Sequence, residues 1–233
     1  MATCINCGNK SVEVTLKDKS ADPHAYGFFG FGLTTVLLNI HNAGYFKLDS
    51  MILAMAICFG GLCQIMAGIM NYLKGALLPG FAFCAFGFFW VSFALITLLV
   101  KAGLAEGPSN ISMAYYLAIW GLLVIVLFVY TLYHAPIVIQ VLFMTVVVLF
   151  YLLAFAKGFK NETLEHIAGW EGIICGLLAM YAGASAILNT PEKTIIPMGK
   201  NYCFAKKKTP QPHNDSTDHI KGSLDSAKAK GEH

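Results

Sequence analysis

Apolar residues run in long blocks separated by short clusters of charge. Charge-free windows cover residues 23–46, 50–73, 75–100, 107–156 and 172–191. A helix crossing the roughly 30 Å hydrocarbon core of a bilayer needs about 20 residues. Each window is long enough for one span, and the fourth for two. That fourth window is interrupted at Tyr133-His134-Ala135-Pro136. Proline lacks an N–H and biases its predecessor away from helix, so two helices joined by a tight turn are predicted there. The last span is placed to begin ahead of its window, near Thr163, and to contain Glu171. Six spans are predicted: 25–46, 49–72, 78–100, 111–132, 135–157 and 163–188. A β-barrel fits poorly, because its strands alternate in polarity and runs such as Val141–Phe150 are apolar on every side. In lipid the backbone must satisfy its own polar groups, so such runs become helices. The predicted class is an all-α polytopic membrane protein with six transmembrane helices.

Composition agrees. Only 12% of the 233 residues are charged and 57% are apolar, against about 25% charged in an average soluble domain. Ten charges serve residues 23–191; the rest lie in residues 1–22 and 192–233. Ten cannot solvate a globule of that size, which excludes a soluble enzyme and a nucleic-acid binder. The chain divides into a polar N-terminal segment (1–22), a transmembrane domain (23–190) and a lysine-rich tail (191–233) expected to be flexible. Six spans put both termini on one side. That side collects twelve of the sixteen lysines, and the opposite loops hold Lys47, Lys101, Lys157 and Lys160. The positive-inside bias predicts cytoplasmic termini in a multi-pass protein of the cell membrane.

The candidate chemistry lies in polar residues inside the spans. In span 1, Phe31, Thr35, Asn39 and Asn42 fall within about 80° on a helical wheel. Such a stripe suits either a pathway lining or interhelical hydrogen bonding. In span 2, Gln64 is a single amide that reads as structural glue. Phe83, Phe86, Trp90 and Phe93 share a face of span 3, as a narrowing or as packing. Span 6 carries Glu171, a functional suspect because an intramembrane carboxylate is costly; it either couples to protons or gates, or snorkels to water. Gly169, Gly172, Gly176, Ala179 and Gly183 form a stripe that lets another helix approach, within the protomer or between copies. Cys58, Cys63, Cys84 and Cys175 read as small hydrophobes. Cys4 and Cys7 supply half a metal site, which Cys203 or His213 could complete. No metal or other cofactor is predicted. No lysine lies deep in any span; a carrier for a polyanion is expected to show a fixed cation there, whereas a small, weakly held monoanion or a neutral solute could pass without one.

The segment Gly30-Phe31-Gly32-Leu33-Thr34-Thr35, followed by Leu38-Asn39-Ile40-His41-Asn42, resembles the signature of the acetate uptake transporter family, to which the bacterial succinate–acetate permeases belong. Gly60-Gly61 with Gln64, Phe89-Trp90, Trp120-Gly121 and Ala168-Gly169-Trp170 with Cys175-Gly176 extend the likeness over residues 20–198. The resemblance implies hexamers in the cell membrane, each protomer with its own central pore passing acetate and related short carboxylates, as a channel or as a proton-coupled permease. By ungapped motif matching it places the pore constriction at Phe31, Phe86 and Thr145, with Thr35, Asn39 and Asn42 around the carboxylate. The chain departs from the family at Asp22-Pro23-His24-Ala25-Tyr26, where the family reads Asn-Pro-x-Pro-Leu, and Glu171 replaces an apolar residue. The alternatives are a channel for another small solute (formate, ammonia, urea) and a non-transporting acetate sensor or scaffold.

Overall fold

The computed structural model describes the backbone of residues 2–7 and 10–15, and residues 21–190 and 192–200 throughout. Two strands, β1 (Ala2–Cys7) and β2 (Lys10–Thr15), pair antiparallel with Ala2 opposite Thr15 and Cys7 opposite Lys10. Six helices follow: α1 His24–Asn42, α2 Ser50–Leu73, α3 Leu77–Lys101, α4 Asn110–His134, α5 Ile137–Phe159 and α6 Glu162–Leu188. The all-α six-helix architecture therefore holds over the transmembrane domain, and the hairpin precedes it. The side chains of Cys4 and Cys7, and all of Cys203, His213 and the distal tail, lie outside the described residues.

Local chemistry sets the helix ends. Asp49 caps α2, accepting from the N–H groups of Met51 and Ile52 at 3.0 and 3.3 Å. Ser109 caps α4 through Ser112 N–H, and Asn161 caps α6 through Leu164 N–H. These side chains replace the missing partners of first-turn donors. Pro136 precedes α5, where its lost N–H costs nothing. One end differs from expectation: α1 stops at Asn42, not near 46. Gly44 sits at φ +91° and its N–H returns to the His41 carbonyl, closing the helix inside the uncharged window.

Five helices, α2 to α6, are long and apolar enough to cross a membrane. The first helix is shorter, at 19 residues, and carries Thr34, Thr35, Asn39 and Asn42 among its buried positions. It can be polar because it sits inside, flush against α6. A methyl on Gly176 would fall 2.8 Å from the Gly32 carbonyl, and one on Gly172 would fall 2.2 Å from Asn39 Cγ. The small-residue stripe of α6 is thus spent within the protomer, on α1. The opposite faces carry exposed Ile119, Leu122 and Val126 on α4, Met144 and Phe155 on α5, and Ile174 and Leu177 on α6. Exposed apolar side chains at this density suit lipid or other copies, not water.

Residues beyond α6 do not leave at once. The Asn189 side-chain oxygen accepts from the N–H groups of Ile195 and Ile196, both at 2.8 Å. Tyr181 donates to the Pro197 carbonyl at 2.8 Å, and Val138 N–H donates to Met198. Described residues 192–200, assigned to a flexible tail from sequence, are instead tied back to α5 and α6.

Candidate functional site: a pathway through the bundle

Three cavities follow one another along α1, α3 and α5. The one at the end of the bundle where α1 begins and α6 ends measures about 350 Å³ and includes Asp22, His24, Leu78, His134, Ser185 and Met198. The middle one is only about 20 Å³, bounded by Phe28, Phe31, Gln64, Phe86, Phe143 and Val146 among others. The third, at the far end, is about 210 Å³ and includes Asn42, Phe89, Phe93, Thr97, Lys157 and Glu165. It adjoins a mouth of about 610 Å³ that shares His41, Asn42 and Glu165 and adds Lys47, Glu162 and His166. Two vestibules thus flank a narrow point. A void needs roughly 10–15 Å³ to hold one water. The middle cavity has room for little more, so a carboxylate passes only when its side chains move.

Aromatic rings make the narrow point. Phe31 of α1 and Phe86 of α3 meet at 5.1 Å between ring centroids, and Phe143 of α5 lies 6.3 Å from Phe86. Phe83 and Phe28 form an edge-to-face pair at 5.1 Å on the side where α1 begins. On the far side Phe89 packs against Trp120 and Phe150. Of the aromatic stripe on α3, Phe83 and Phe86 line the cavities, whereas Trp90 packs against Phe89 and Phe93.

The structure brings Phe31 and Phe86 together but not Thr145. Thr145 is absent from the lining of the middle cavity, and its hydroxyl donates to the Leu142 carbonyl at 2.7 Å. The neighbouring Val146, 2% exposed, takes the lining position. One residue along a helix is a turn of about 100°, so a one-residue offset in motif matching moves a side chain off the pathway.

The stripe Thr35, Asn39 and Asn42 is a bonded ladder along α1. Asn39 Nδ2 donates to the Thr35 carbonyl at 2.9 Å, and Asn42 Nδ2 donates to Asn39 Oδ1 at 3.0 Å. Asn39 is wedged against Gly172 of α6. Of the three, only Asn42 lines one of these cavities. The geometry gives Asn39 to helix packing and Asn42 to the far vestibule.

Gln64, read from sequence as structural glue, makes no hydrogen bond that would glue one helix to another among the described residues. It is fully buried, and neither its amide oxygen nor its amide nitrogen has a hydrogen-bond partner among the described residues. It lines the narrow cavity opposite the phenyl rings. Its approach is set by a π-helical stretch, Ala56–Cys63, immediately before it. Such wide turns rotate the side chains beyond them and gather at functional sites. Gly60 and Gly61 lie within the stretch, and a methyl on Gly60 would fall 2.8 Å from Thr34 Oγ1. The glycine pair was the available signal; the π-turn it permits was not legible.

Glu171 lies on α6 and lines none of these cavities. Both its carboxylate oxygens are buried without a partner among the described residues, so the side chain does not reach water by snorkelling. Cys175, one turn on, is fully buried and adjoins both Glu171 and Thr145. At the entrance where α1 begins, Asp22 accepts from the His24 backbone N–H at 3.0 Å and pairs with the His24 ring. Burial pushes the Asp22 carboxyl upward. The hydrogen bonds from His24, with the charges of His24 and Lys74, outweigh it and hold the group below the ordinary carboxylate value.

The family model described as GPR1/FUN34/yaaH matches residues 6–200. The chain belongs to this family. It is 42% identical to the Succinate-acetate/proton symporter SatP of Escherichia coli strain K12, over 79% of this chain and 98% of that protein. It is 30% identical to Ammonia transport outward protein 2 of Saccharomyces cerevisiae, over 76% of this chain and 65% of that protein. Among solved structures, that of the bacterial acetate channel SatP superposes with a TM-score of 0.76 at 42% identity, covering 78% of this chain and all of that one. The chain is therefore a multi-pass membrane protein of the GPR1/FUN34/yaaH family, and each of the relatives named above is named for transport. The two SatP relatives carry the names symporter and channel.

Proposed function

We propose that the protein passes acetate and related short monocarboxylates across the cell membrane, the solute moving between the two vestibules through the gap at Phe31, Phe86 and Val146. The observation that carries this reading is Gln64, a buried amide with no hydrogen-bond partner among the described residues, at the narrowest point, whose other lining side chains are apolar. A carboxylate arriving there sheds water and accepts a hydrogen bond from Gln64 Nε2, while its methyl group slides between the rings. The amide carries no net charge, so the anion is held weakly enough to leave, as conduction requires. The names of the SatP relatives support acetate as the solute.

The other parts of the protein fit the same reading. Both termini face the cytoplasm, on the lysine bias. The protein assembles as a homohexamer in lipid, burying part of its exposed apolar faces. Glu171 couples transport to protons or gates it through the α1–α6 contact, since the adjoining Gly172 abuts Asn39. Cys175 is the titratable group that adjoins it.

Uptake of labelled acetate into proteoliposomes tests the function. Saturable flux above empty liposomes, competed by formate less well than by acetate and not by ammonium or urea, is expected. Specific binding without flux would make the protein a sensor. Repeating the assay with an imposed proton gradient separates symport, in which the gradient drives accumulation, from a channel, in which it does not. If Glu171 carries the coupling, Glu171→Gln loses the pH dependence of flux that the parent shows; identical pH profiles would return Glu171 to a structural role.

A further inference from the structure

Residues 192–200 run past the vestibule at the end of the bundle where α6 ends, and they are held there in an unusual way. All but Ile196 and Met198 are exposed, so burial of apolar surface does little to fix them. Hydrogen bonds do it instead. Asn189, the first residue after α6, makes three: its Oδ1 accepts from Ile195 and Ile196 N–H, and its Nδ2 donates to the Ile196 carbonyl, each at 2.8 Å. Tyr181, about two turns back on α6, donates to the Pro197 carbonyl. Met198 then turns to α5. Its carbonyl accepts from Val138 N–H at 3.3 Å, and its side chain lines the vestibule. Val138 lies in the first turn of α5, where an amide has no partner within the helix. Gly199 follows at φ +73°, so close that a methyl on it would run into Ile137.

We infer that residues 192–200 are a latch between α6 and α5. Closed, the segment pins the first turn of α5 to the end of α6 and keeps the Met198 side chain in the vestibule. Released, it withdraws Met198 and leaves the start of α5 free to shift. That helix carries Phe143 and Val146 to the narrow point. The gap there has room for little more than one water, so its walls must move before a solute passes, and the latch sets how often the α5 wall is free to do so. Release is cheap for a physical reason. Segments with little buried apolar surface and with solvent-exposed backbone hydrogen bonds open locally, far below the cost of global unfolding. A brace meant to be permanent would bury its apolar residues, yet Ile195 is 53% exposed. The effect on flux rests on the acetate reading; the opening itself is a property of the protein alone.

Hydrogen exchange on the full-length protein in detergent, read by mass spectrometry, tests the opening. The amides of Ile195, Ile196 and Val138 are expected to exchange together, well ahead of those in the middle of α6. Tyr181→Phe removes one latch bond and should raise exchange at all three roughly two- to tenfold. Asn189→Ala removes three and should raise it further, with the middle of α6 unchanged. Acetate flux into proteoliposomes tests the consequence. Both variants should raise it. A disulfide between Val138→Cys and Met198→Cys, whose main chains meet at 3.3 Å, should lower it until a reductant restores it, the single-cysteine variants serving as controls. A parent that carries no acetate would overturn the proposed function, and the exchange pattern, with its suppression by the disulfide, would then decide the latch. Exchange that rises at Ile195 and Ile196 without Val138 would mean two independent contacts and no latch. Flux indifferent to the disulfide, or flux that falls in both latch variants, would mean a fixed brace. Each of these results would overturn the proposal.

Discussion

Gln64 offers a perturbation in which stability and function should move apart. Replacing it with leucine keeps most of the side-chain volume and removes the two polar atoms. In the present conformation those atoms are buried with no partner among the described residues. Burying an amide without a hydrogen bond costs roughly 1–3 kcal/mol on protein mutational scales. Gln64→Leu should therefore stabilise the folded protein by about that amount, measured as a rise in the thermal unfolding midpoint in detergent. Transport should fall. A hydrogen bond to a charged group is worth about 1.5–3 kcal/mol, and about 1.4 kcal/mol is a factor of ten. Removing the one polar side chain among the described residues that line the narrow point should cut acetate flux into proteoliposomes on the order of 10- to 100-fold. Most core substitutions lose stability and activity together, so the divergence is the signature. Unchanged flux would refute the placement of Gln64 on the pathway. A fall in the unfolding midpoint would show that the amide holds the fold together.

The other predictions concern the walls. Phe31→Ala should widen the gap, raising acetate flux and admitting longer monocarboxylates, at a stability cost of about 3–5 kcal/mol for a deleted core ring; unaltered size selectivity in the flux assay would remove Phe31 from the constriction. Thr145→Val should leave flux near the parent level while Val146→Thr changes it, since only Val146 lines the cavity; the reverse result would restore Thr145. Gly172→Ala drives a methyl to 2.2 Å from Asn39 Cγ and should destabilise by about 1–3 kcal/mol. Adding Asn39→Ala should recover part of that loss in a double-mutant cycle on unfolding midpoints, and strict additivity would deny the contact.

Much of the architecture could be read from charge alone, because lipid forces charges to the helix ends. The predicted spans, drawn from the windows, the proline break and the placement of Glu171, start within two residues of the observed starts of α2 to α6. They overran α1, because the loop after Asn42 is uncharged too, and only the positive φ of Gly44 ends the helix there. The polar face of α1 was visible as a stripe, but not its use. Whether an amide turns to a pathway or back to a carbonyl depends on its neighbour, and the neighbour of Asn39 is a glycine on a helix more than a hundred residues away. Gln64 reads as glue from sequence because a lone amide marks no face, and where it points is set by a π-helical stretch, Ala56–Cys63, that a regular helical pitch does not anticipate. The glycine stripe of α6 announced a close neighbour without saying which, and the structure answers with α1.

The placement of charge along the pathway has a physical consequence. A cation fixed at the narrow point would attract the anion strongly, since at a given separation Coulomb energies grow as the effective dielectric falls from water toward the protein interior. The solute would then enter readily and leave slowly. In this protein the nearest lining cation on the far side, Lys157, sits at the vestibule rim, more than two helical turns along α5 from Val146, and is already partnered by Glu165. On the proposed reading, charge acts where water still screens it and where it can raise the local concentration of anion. Inside, recognition passes to a neutral amide. The two tasks pull in opposite directions, capture favouring strong fields and release favouring weak ones. Separating them along α5 lets each be changed without the other. That is why Lys157→Gln should act chiefly on the concentration at which acetate flux saturates and Gln64→Leu chiefly on the maximal flux.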